Sequence, residues 1–91
     1  MLFFCSKMDT LTQERLEREF KVTKKALDEI KIKIEKDHEH HKAALKFLDT
    51  AERYYKDAIY FRKKDDKASA FGALNYAFGW LDAGKYIGLF E

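Results

Sequence analysis

The chain has 91 residues, enough for one hydrophobic core and too few for two domains. Charged residues make up 37% of it, yet the net charge is only +2, so the two signs are interleaved and the strong basic field of a nucleic-acid binder is excluded. The absence of proline, with four glycines and a lone cysteine (Cys5), excludes a loop-rich fold and an intramolecular disulfide, and fits a reducing, cytoplasmic compartment.

Met1 to Cys5 is apolar but lacks a basic flank and is shorter than the ~7-residue core of a secretory signal. Residues 1–9 therefore read as a flexible extension, with Met8 as an alternative start, and residues 10–91 as the folded unit. Asp9, Thr10 and Thr12 offer helix N-caps, and Thr10 with Gln13 forms a potential capping box. From there Leu16, Phe20, Thr23, Leu27, Ile30 and Ile34 recur at alternating spacings of four and three, which predicts a first helix over about 11–36.

A second helix is predicted over about 38–64. Ala44, Leu48, Ala51, Tyr55 and Ala58 share one stripe, and Phe47, Tyr54 and Phe61 share the next. The segment between these helices, Lys36 to His41, holds no glycine or proline, and the periodicity runs through it. An unbroken helix would be ~80 Å long and would need a coiled-coil partner. Polar Asp37 and His41 in the seam favour a break, with Asp37 capping the second helix.

The next turn is clearer. Lys63 and Lys64 suit the negative end of a helix, and the Asp65–Asp66 pair supplies an N-cap for the next. The third helix, about 66–89, is poor in charge: Ala68 to Phe90 contains only Asp82 and Lys85. Phe71, Leu74, Phe78 and Leu81 form a large stripe, while Ala70, Ala73, Ala77 and Gly84 form a small one. Gly72, Asn75, Gly79, Asp82 and Tyr86 make a mixed stripe, with Tyr76, Trp80 and Ala83 on the remaining side. The longest charge-free run, Ala68 to Leu81, falls well short of the ~20 residues that cross a bilayer, so no membrane span is expected. Short connections then predict an all-α, up-down-up three-helix bundle.

The string YYKDAIYFRKKDDKASAFGALNYAFGWLDAGKYIGL, Tyr54 to Leu89, resembles a family of small archaeal helical proteins of unknown function. That family carries an Asp and an aromatic late in its second helix and a Gly-Asp turn. An alanine follows, then a Tyr-Ala-x-Gly-x-Leu-Asp-Ala signature. The resemblance places Asp57, Phe61, Asp66 and Ala70 on the first features and Tyr76, Ala77, Gly79, Leu81, Asp82 and Ala83 on the signature. Asp65 departs from it, standing where the family has glycine. The resemblance implies a helical bundle and no known activity.

His38, His40 and His41, with Asp37 and Glu39, are the nearest approach to a metal constellation. His38 and His41 stand three apart and share a helix face, but a solvated junction without supporting partners is the stronger reading, and no cofactor is expected. Asn75 and Asp82 share a face with Gly72 and Gly79. Asp82 reads as a hydrogen-bond acceptor fixing helix register before it reads as a reactive carboxylate, because no second catalytic group accompanies it. Tyr76 and Trp80 would suit base stacking, but beyond its turn the third helix offers only Lys85 to a phosphate. Lys63, Lys64 and Lys67 at the turn are too few to form a basic groove, so nucleic acid is not the expected partner.

The sequence thus reads as a non-catalytic interaction module. Its charge-poor third helix would meet a second copy or a protein partner through Tyr76, Trp80, Ala83 and Ile87. The alternative is a small-ligand, metal or catalytic site around Asp57, Asn75 and Asp82, in which Asp57 and Asp82 approach each other across the second and third helices.

Overall fold

Thr12, one of the three cap candidates, opens the first helix: its hydroxyl accepts a hydrogen bond from the Arg15 N–H at 3.1 Å. This is seen in a computed structural model that describes residues 11–91. The expectations for residues 1–9 and for the Thr10 capping box lie outside the described residues. Three helices follow in order, α1 (Gln13–Glu29), α2 (His41–Lys63) and α3 (Lys67–Tyr86), and they form the all-α bundle.

The small stripes of α2 and α3 form the centre. Ala44, Ala51 and Ala58 recur every seventh residue of α2 and are fully buried, as are Ala70 and Ala77 of α3. Leu16 and Phe20 of α1 join Ala58, Ala70, Ala73 and Leu74 in one cluster near the α2–α3 turn. A second cluster at the other end gathers Ala44, Ala51, Leu81, Leu89 and Phe90. Glu17 reaches Arg62 at 3.0 Å, and the Arg62 guanidinium lies 3.8 Å over the Phe20 ring, which fixes the start of α1 against the end of α2.

The first helix stops at Glu29 rather than near residue 36. The run Ile30-Lys31-Ile32-Lys33-Ile34 alternates apolar and charged residues, a period of two that suits extended chain and not helix. Its isoleucines are half-buried against the second cluster while its lysines face solvent. The segment pairs antiparallel with the chain end: the Lys33 N–H donates to the Leu89 carbonyl at 2.8 Å, and the Glu91 N–H to the Lys31 carbonyl at 2.9 Å. Turns through His38 then lead into α2, which begins at His41. Asp37 is exposed and does not cap it, contrary to the expected start at residue 38.

Both remaining helix ends use the same device. Asp65 takes φ 60° after α2, and Gly88 takes φ 84° after α3. In each case the residue beyond donates back across six residues, Asp66 to the Phe61 carbonyl and Leu89 to that of Gly84. Asp66 then caps α3 by accepting from the Ser69 N–H at 3.1 Å, and the Ser69 side chain together with that N–H holds its carboxyl below the usual aspartate value. The second reversal folds Phe90 back onto α3, where its ring occupies the space of the missing Gly84 side chain.

Two outcomes follow from these ends. Asp65→Gly should stabilise the fold by about 0.5 kcal/mol in a urea titration, because relief of a left-handed penalty of ~1–2 kcal/mol outweighs the ~0.4–1 kcal/mol of chain entropy that glycine adds to the unfolded state. Gly84→Ala should cost about 1–3 kcal/mol, since its methyl overlaps the buried Phe90 ring. Hydrogen exchange should show the Lys33 and Glu91 amides losing protection first.

Candidate functional site

The sequence-predicted residues separate onto two flanks of α3. On the flank toward α2, Tyr76 stacks on Tyr54 with centroids 4.7 Å apart and planes 27° apart. One turn further on, Trp80 meets Phe47 edge-on at 4.9 Å. Trp80 is half-buried, and its Nε1 is buried without an acceptor among the described residues. Tyr76 and Ile87 remain 59% and 58% exposed, and Ala83 is exposed too. Helical spacing puts exposed Asp57 and half-buried Thr50 beside Tyr54.

Gly72 and Gly79 of α3 are exposed. A Cβ added at either would meet nothing within 4 Å, so packing within this chain does not require glycine at these positions. Each costs the helix roughly 0.5–1 kcal/mol relative to alanine.

The opposite flank borders a groove of about 620 Å³ between α1 and α3. Asn75, Gly79 and Asp82 line it from α3 together with Phe71 and Phe78, and Arg15, Glu19 and Val22 line it from α1. Phe78 and Val22 are 40% and 45% exposed, and the Arg15 guanidinium lies 5.5 Å over the Phe71 ring. Sequence reasoning missed the α1 wall and assigned Phe78 to the core. The available signal was Val22, an isolated apolar residue off the buried stripe of α1.

Asp57 is absent from this groove, and the expected meeting of Asp57 with Asp82 does not occur. The Tyr54–Tyr76 stack sets the level of two antiparallel helices. Asp57 lies three residues to one side of it and Asp82 six to the other, an axial offset of roughly 13 Å. No dyad of these carboxylates exists to share a proton or a metal.

At the junction before α2, His38 Nδ1 accepts from the His40 backbone N–H at 3.0 Å, and the two rings are 5.1 Å apart. His41 instead starts α2. Among the described residues no group of three or more His, Cys, Asp or Glu side chains is placed to hold a metal ion, so the His38–His41 pair gains no support. No described helix is long and apolar enough to cross a membrane.

The aromatic stack can be checked directly. A double-mutant cycle of Tyr54→Ala and Tyr76→Ala should give a coupling of about 0.5–1 kcal/mol in denaturant titrations, the range of an exposed offset pair. Non-coupled losses would mean that the rings do not associate in the free chain.

The family described as "Protein of unknown function (DUF357)" matches residues 18–90. No curated protein and no solved structure matches the chain.

Proposed function

The chain belongs to the DUF357 family, whose function is unknown, and we propose that it is a non-catalytic helical interaction module that self-associates through the α2–α3 flank bearing Tyr54, Tyr76, Trp80, Ala83 and Ile87. The cytoplasm is the compartment this reading assumes, and small archaeal proteins are the group it assigns the chain to.

The observation that carries the reading is that, among the described residues, α1 covers one side of the α2–α3 seam and the aromatic side is left open. On that open side α3 presents no charge: Tyr76, Ala83 and Ile87 are exposed, and the half-buried Trp80 ring lies between them. An isolated exposed tyrosine would mean little. A contiguous run of aromatic and aliphatic groups on one face is what an interface core requires.

A second copy suits this face better than a charged partner. A two-fold contact brings the same patch from both subunits together, and a patch without charge meets itself without repulsion. The net charge of +2 adds little long-range opposition. Asp57 and Lys46 stand beyond Tyr54 on the rim of α2, so both signs are available where two copies would meet at their edges. Two hairpins facing each other give a four-helix arrangement.

Sedimentation velocity across micromolar concentrations should show a reversible dimer. Tyr76→Glu with Ile87→Lys should return it to monomer with helix content unchanged, because each buries a charge only in the associated state. A strict monomer at all concentrations, or a dimer indifferent to both substitutions, would sink the proposal.

A further inference from the structure

The open flank of α2 and α3 carries two aromatic pairs, Tyr54 on Tyr76 and Phe47 on Trp80. The level midway between these pairs falls between Thr50 and Ala51 on α2 and at Phe78 on α3. Charge marks nearly the same level. Lys46 and Asp57 are exposed on the outer rim of this flank, and the point midway between them lies between Ala51 and Glu52. That is one residue, or roughly 1.5 Å, from the aromatic midpoint.

Both charges are unanswered within the chain. Among the described residues neither the Lys46 ammonium nor the Asp57 carboxylate makes an ion pair or a side-chain hydrogen bond. Arg53, one turn before Asp57, pairs instead with Asp49 at 3.0 Å.

Two copies of the flank can face each other about either of two two-fold axes. An axis parallel to the helices lays α2 of one copy on α3 of the other at matching levels. The α3 side of the flank carries no charge, so Lys46 and Asp57 would both go unmet there. An axis across the helices lays α2 on α2 and α3 on α3, each pair antiparallel. At the level midway between the aromatic pairs, this axis sets Tyr54 and Tyr76 of one copy on Phe47 and Trp80 of the other. The same operation carries Lys46 of each copy to Asp57 of the other. A two-fold contact makes every pair twice, so opposite charges equidistant from the axis attract at both ends of the interface.

We propose that this chain pairs with a second copy about a two-fold axis crossing α2 near Ala51 and α3 near Phe78, with two symmetric Lys46–Asp57 ion pairs fixing the register. The proposal rests on the self-association reading and sets the orientation of the second copy within it.

Lys46→Asp and Asp57→Lys are made singly and together, and the dimer dissociation constant of each is measured by sedimentation velocity. A single reversal places like charges together at two points and should weaken the dimer about tenfold. The double reversal re-forms both pairs with exchanged signs and should restore the constant to within about threefold of the unmodified chain. Circular dichroism should show helix content unchanged throughout, since both positions are exposed. A strictly monomeric unmodified chain overturns self-association and this register together. A dimer that ignores the single reversals, or that the double reversal does not restore, overturns the register alone and leaves self-association standing.

Discussion

The close approach of α2 to α3 along an alanine seam is the constraint from which the other features follow. Ala44, Ala51 and Ala58 on one helix and Ala70, Ala73 and Ala77 on the other leave no side chain long enough to hold the axes apart. Such a seam buries little apolar area per residue, so it cannot stabilise the fold alone. The large side chains sit beside it instead of within it. Leu48, Tyr55, Leu74 and Leu81 lean to one side, where α1 covers them; Phe47, Tyr54, Tyr76 and Trp80 lean to the other, where none of the described elements follows. An open aromatic flank is thus a consequence of choosing alanine for the centre.

The same seam explains why the ends of the chain matter. The far end of α1 packs Ala26 and Leu27 against the second cluster. The chain leaves the helix at Ile30 and lays its isoleucines over Leu81, Leu89 and Phe90 in extended form. Gly88 makes the reversal that brings Leu89 and Phe90 into that cluster, and Gly84 provides the space for the ring. Gly84 and Gly88 are therefore accounted for within the chain. The other two, Gly72 and Gly79, face open space and are not.

Much of the architecture was legible in the sequence. Apolar spacing marked all three helices; the buried alanines of α3 are those of its predicted small stripe, and those of α2 fall on the stripe predicted to hold them with Leu48 and Tyr55. The end of α1 was misjudged because Ile30 and Ile34 satisfy both a period of four and a period of two. The intervening Ile32, which a helix would have turned to solvent, is what tells them apart. Asp65 stood out only against the resemblance, and the structure gives the reason: its position demands a left-handed backbone that aspartate tolerates and glycine prefers. The groove was only half legible, since Asn75 and Asp82 could be paired by spacing on their own helix. Which residues of α1 they face depends on how α1 crosses α3, and no periodicity within one helix encodes that.

The charge-poor third helix is therefore not one surface. Its buried stripe belongs to the seam, its aromatic flank to the open side of α2, and Asn75 and Asp82 to the groove beside α1. Asp82 is the only acidic residue of α3, and it lines the groove eleven residues beyond Phe71, the ring that the Arg15 guanidinium covers. A hydrogen-bonded structural role for Asp82 would need a partner on an adjacent helix, and none is present among the described residues.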